Sequence, residues 1–401
     1  NWHIRAGEEL LQTLRFPDGD VWSFTGRGGP WLNVQWIATL LIREAYVLAQ
    51  AWGTTGENGL IVARMLGVGV LVLALAWMLT RAVAAREERD YEAGLVLAVL
   101  LPVFYLATAF RLQIRADIFV FAVFAVQIGV WLLPEPRWTF RRKGLASLLC
   151  IVLSANIHHG TAPFLLASAW VFGISTRSNW RDRELLTFLG MSLLAFFATP
   201  YGVRVIPFLV EHFFYYQFNM MANPDHQPLA WRHFDPAEFS WAAIVWAIAT
   251  LLAVLSWYLS HVKKLFQLPG PYAHPWLPAV AGLGLTLMCG NRLRAFPYQI
   301  IFILPYLAAA IRAWLGPLGK EVLPNPTSVV VAVGLVLWVG VFPHHLRKFR
   351  IESGFKISDS LFPAGSTRFL ARAKPEPQIF TTFTYGHYLT WNLREYPVFV
   401  D

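Results

Sequence analysis

The chain has 401 residues, of which 56% are hydrophobic and only 14% charged. Soluble domains carry roughly 25% charged residues, so charge this sparse, set among apolar runs of spanning length, excludes an ordinary soluble domain and indicates a polytopic membrane protein. The formal net charge is +9, but the basic residues sit mostly in short loops and no basic tract is interleaved with aromatics, which argues against nucleic-acid binding.

Residues 1–52 read as a first external loop with juxtamembrane helices. Trp2 to Leu14 suits a short amphipathic helix with Ile4, Leu11 and Leu14 on one side. Phe16-Pro17-Asp18-Gly19-Asp20 is turn chemistry. Residues 34–52 are apolar but carry Gln35, Arg43 and Glu44. Arg43 and Glu44 are adjacent and do not share a helix face, so an interfacial helix is expected rather than a span.

Residues 53–343 read as an all-α transmembrane bundle of about ten spans. The spans lie near 58–80, 92–110, 117–133, 144–157, 162–175, 184–198, 240–259, 276–290, 297–314 and 327–343. The basic loops alternate along the chain, with Arg81, Arg86 and Arg89, then Arg137, Arg141, Arg142 and Lys143, then Arg177, Arg181 and Arg183. Those loops are expected in the cytoplasm and the intervening ones outside. Cys150 and Cys289 both fall within apolar runs and read as packing residues.

The external set holds the unusual residues. One loop contains Arg111, Gln113, Arg115 and Asp117; the next is Asn156-Ile157-His158-His159-Gly160-Thr161, a polar break in an apolar run. Arg292 and Arg294 follow Gly290. Polar groups at membrane depth are costly unless they face protein or water, so such a break is a candidate site. Arginines here run against the positive-inside tendency, and an anionic ligand such as a phosphate would explain them. Asp117 beside Arg115 reads first as an ion pair, and Asp20 as a turn or cap residue. His158 and His159 are sequential and diverge on a helix, which argues against a shared metal.

Residues 344–401 alternate polar and apolar side chains, as in Gln378-Ile379-Phe380-Thr381-Thr382-Phe383. They read as short strands opening a small external α/β or β domain. The chain starts at Asn1 and stops inside such a stretch at Asp401, so further residues are expected at both ends. Nothing matches a P-loop, a dinucleotide fingerprint, a zinc HExxH or a GxSxG elbow.

Several stretches together resemble the bacterial GT-C-type membrane glycosyltransferases, the dolichyl-phosphate-mannose and ArnT-like family. They are Trp2-His3-Ile4-Arg5 through Trp36, Arg115-Ala116-Asp117, Asn156-Ile157-His158-His159-Gly160, Thr199-Pro200-Tyr201-Gly202, Arg292-Leu293-Arg294 and Tyr385-Gly386-His387-Tyr388-Leu389. The resemblance implies a GT-C-like bundle in the bacterial inner membrane with its site facing the periplasm. It implies transfer of a sugar from a polyprenyl-phosphate donor, with Asp20 and Asp117 as the catalytic carboxylates. His3, Arg5, Gln35, Arg111, Arg115, His158, His159, Arg292 and Arg294 would line the substrate site. Val34-Gln35 stands where the family has His-Glu, and Ala116 where it has Pro. No resident cofactor or protein metal ligand follows; a divalent cation is left open. Two alternatives remain: a GT-C-like scaffold subunit that binds membrane lipid or a membrane-protein partner, and, behind it, a transporter or flippase.

Overall fold

Two helices, buried along most of their apolar length, form the axis of the molecule. The structure, a computed structural model, describes residues 2–22, 28–29, 31–83, 90–108, 111–177, 179–211, 236–291, 295–322, 363–376, 379–381 and 383–396. The axial helices are Ala116–Leu132 and Phe296–Val322. Nearly every residue of the first is buried, as is most of the second from Phe296 to Ala310. A helix without a polar face has to be enclosed by others.

In chain order the α-helices among the described residues are α1 (Trp2–Thr13), α2 (Trp36–Ala51), α3 (Gly56–Val83), α4 (Asp90–Thr108), α5 (Ala116–Leu132), α6 (Phe140–Ile157) and α7 (Ala162–Thr176). Then come α8 (Arg183–Phe196), α9 (Val205–Val210), α10 (Pro236–His261), α11 (Leu277–Asn291), α12 (Phe296–Val322), α13 (Ala364–Ala373) and α14 (Phe383–Asn392). Helices α3, α6 and α7 pack on α5, while α4, α10 and α11 pack on α12. The protein is therefore a helical membrane protein whose core runs through α5 and α12. By length and composition α3, residues 244–261 of α10 and residues 296–314 of α12 suffice to cross a bilayer. Val96–Thr108, α5 and Leu277–Cys289 are shorter apolar helices.

Polar side chains inside the bundle fasten helices to one another. Gln127 of α5 donates to the Leu165 carbonyl and the Ser168 hydroxyl of α7, both at 2.8 Å. Gln299 of α12 donates to Thr250 on α10 and Thr286 on α11. Such bonds hold helices together where lipid supplies no hydrophobic difference.

Nine of the ten expected spans coincide with helices; the tenth, 327–343, lies outside the described residues. Four local expectations need correction. Helix α1 buries Ile4 with Ala6, Gly7 and Leu10, whereas Leu11 and Leu14 are exposed, and Leu14 sits past the helix end. Arg43 and Glu44 do meet, through an ion pair of 2.6 Å along the flank of α2. The stretch Tyr385 to Trp391, expected as a strand, lies within α14. Around the expected strand at 378–383, the described residues show only an isolated bridge at Ile379.

Candidate functional site

The polar residues gather where three helix ends meet. Asp117 lies in the first turn of α5, where the helix dipole favours an anion. His158 is the C-cap of α6, where the dipole favours a cation. Gln35 is the N-cap of α2. The chain brings these together because α5 and α6 are antiparallel neighbours and α2 packs against both.

Arg111 and Asp117 are each 2% exposed and form a tight ion pair between Nη2 and Oδ2. Asp117 thus pairs with Arg111, while Arg115 stands exposed at the N-cap of α5. Buried charge needs such a partner. The other carboxylate oxygen, Oδ1, lies 3.6 Å from Nε2 of His158, itself 3% exposed. The same Nε2 lies 3.3 Å from the side-chain nitrogen of Gln35. Gln35 and Trp36 are only half-buried, so the cluster reaches the surface through them. With Arg111 and Asp117 neutralising each other, the protonation of His158 decides the net charge of this group.

A second set of bonds clamps the opening segment over the cluster. Trp36 Nε1 donates to Asn156 Oδ1 at 2.9 Å, and Asn156 Nδ2 donates to the carbonyls of Val152 and Ala198, both at 2.8 Å. The His159 amide donates to the Val34 carbonyl at 3.0 Å. The Tyr201 hydroxyl accepts from the Asn33 amide at 2.9 Å and donates to the Pro17 carbonyl at 3.0 Å. Phe16 packs edge-on against both Trp36 and Tyr201. The structural part played by Asn33, Trp36 and Tyr201 escapes sequence reasoning; its one signal is the Pro-Tyr-Gly turn at 200–202.

The remaining expected site residues are dispersed. His159 is buried against Phe196, its Nδ1 facing the Ala155 carbonyl. Burial pushes its imidazole down to about 4, against the opposing backbone bond, so the ring is neutral at pH 7. His3 is buried and stacks on Trp2. Arg5 points to the C-terminal helix, where it donates to the carbonyls of Thr390 and Arg394 and pairs with Glu9. Asp20 Oδ1 accepts from the Trp22 amide at 2.8 Å, forming an Asx turn. Arg292 and Arg294 lie outside the described residues. Among the described residues no group of three or more His, Cys, Asp or Glu side chains converges on a point that could hold a metal ion.

The fold defines a helical membrane protein, with a buried, charged cluster where three helix ends meet. No family model matches the chain, and no curated protein matches it. Among solved structures it is similar to a crystal structure of ArnT from Cupriavidus metallidurans bound to undecaprenyl phosphate. That likeness has a TM-score of 0.45 and 14% identity, and covers 99% of this chain and 80% of that one.

Proposed function

We propose that the protein transfers a sugar from a polyprenyl-phosphate-linked donor to an acceptor at the outer face of the bacterial inner membrane. The observation that supports this most directly is the buried Arg111–Asp117–His158 cluster at the end of an apolar bundle, opening at Gln35 and Trp36. A lipid-linked substrate needs both environments at once: apolar helix surface for its chain and a polar pocket at the helix ends for its head.

In the proposed step an acceptor hydroxyl oxygen attacks the anomeric carbon. The bond from that carbon to the phosphate oxygen breaks, and the phosphate leaves with the lipid. The hydroxyl proton passes to a carboxylate, Asp20. Arg115, His158, Arg292 and Arg294 would bind the departing phosphate. The test is transfer of a lipid-linked sugar by the purified protein in vesicles. Arg294→Ala is expected to abolish transfer while leaving the thermal melt unchanged; normal turnover by that variant sinks the assignment.

One observation favours a second reading, a subunit without turnover. Asp117 is held by Arg111 and Asp20 by its own turn, so both carboxylates already have structural work. A stable membrane-protein partner on purification, with no transfer by the wild type, would establish that reading instead.

A further inference from the structure

The Nε2 atom of His158 faces two groups whose demands on it conflict. Gln35 presents its side-chain N–H₂ at 3.3 Å, which asks for a lone pair on that nitrogen. Asp117 Oδ1 at 3.6 Å asks for a proton there. One nitrogen cannot meet both demands. With the neutral ring carrying its hydrogen on Nδ1, ionisation adds a proton on Nε2, which turns the contact with Asp117 attractive and leaves the Gln35 amide N–H₂ facing a donor. The amide then gains by turning its carbonyl inward, and the half-buried position of Gln35 leaves room for that rotation.

We propose that His158 and Gln35 form a proton-coupled switch at the mouth of the site. With a bare Nε2, Gln35 holds its N–H₂ inward and shows a carbonyl outward, an acceptor suited to a hydroxyl. With a protonated Nε2, Gln35 shows its N–H₂ outward, a donor suited to a phosphate oxygen. The charged and titratable groups around His158, among the described residues, act on it in opposite directions. Asp117 from α5 and the C-terminal end of α6 favour the imidazolium. Arg111 behind Asp117, and burial, oppose it. His159, the other ring of this turn, is kept neutral by burial. The idea that the outward groups meet a hydroxyl and a phosphate rests on the transferase reading; the switch itself does not.

The experiment is magnetic resonance on the full chain in lipid nanodiscs, with isotope-labelled histidine and glutamine. The His158 ring nitrogens and the Gln35 side-chain amide are expected to move in one transition with a shared midpoint. In Gln35→Glu the His158 midpoint is expected to rise by about one pH unit, because an anion now faces Nε2. In His158→Gln the Gln35 transition is expected to vanish. If His158 titrates while the Gln35 amide stays fixed, or if Gln35 still moves in His158→Gln, the switch is overturned. Binding of a short-chain polyprenyl monophosphate is expected to weaken as pH rises through the shared midpoint, and less steeply in Gln35→Ala, where only the charge of His158 still changes. A switch seen by resonance without any such binding leaves the switch standing and overturns the phosphate assignment.

Discussion

Asp117 lies at the centre of the buried cluster, and geometry brings Arg111 to it. Arg111 turns inward and pairs with the carboxylate, while Arg115, nearer in the chain, is exposed. Removing one member of a buried pair strands the other charge, at a cost of about 3–5 kcal/mol. Asp117→Asn is therefore expected to lower the thermal melt in detergent sharply, and Arg111→Met with Asp117→Leu to recover much of the loss. An unchanged melt in Asp117→Asn would show the pair to be dispensable. His159 makes a pH prediction of definite sign. Its folded value of about 4 lies below the ordinary imidazole value, so the unfolded chain binds more protons between roughly pH 6.5 and 4. Stability is expected to fall as pH drops through that window, and this component is absent in His159→Phe. A melt that is flat with pH in the wild type contradicts it.

At the scale of elements, the close approach of α2 to α3 shows how small residues set the packing. A Cβ at Gly59 would overlap the carbonyl of Ala45, and one at Gly56 the ring of Tyr46. Gly69 on the same helix has open space around it. Gly59→Ala is expected to destabilise by about 1–3 kcal/mol through overpacking. Gly69→Ala is expected to be neutral or stabilising by up to about 1 kcal/mol, through helix propensity. Unfolding in a denaturing detergent series compares the two; equal melts would mean that α2 does not pack this way. The helices themselves were legible from runs of apolar residues, because a long apolar run in lipid has to satisfy its own backbone. The tail was not. In a ten-residue stretch such as 383–392 an alternating pattern also fits a helix, and docking decides between them. Trp391 of α14 packs with Ile4, Ile42 and Leu60, a contact that no local pattern encodes.

Across the whole molecule, the first and last described helices close on each other. Arg5 of α1 donates to two carbonyls at the end of α14, Thr390 and Arg394, and the Arg394 side chain pairs with Glu8. Hydrogen bonds to a charged group contribute about 1.5–3 kcal/mol. Arg5→Met is expected to speed hydrogen exchange of the 383–396 backbone by roughly tenfold or more, with little change in α5 or α12. Unaltered exchange there would show that apolar contact alone holds α14.

The sequence by itself determined that this is a helical membrane protein, where most of its long helices lie, and that polar residues interrupt them at particular turns. Those properties follow from composition and run length, which act locally. Only the tertiary structure decided which polar residues meet. Arg111, Asp117, His158 and Gln35 come from three helix ends far apart in the chain, while Arg5 and Asp20, expected beside them, are engaged elsewhere. Their meeting depends on α5 and α6 running antiparallel and on α2 being pinned across them by Trp36, Asn156 and Tyr201. Such long-range packing leaves no periodic trace in the residues that take part in it.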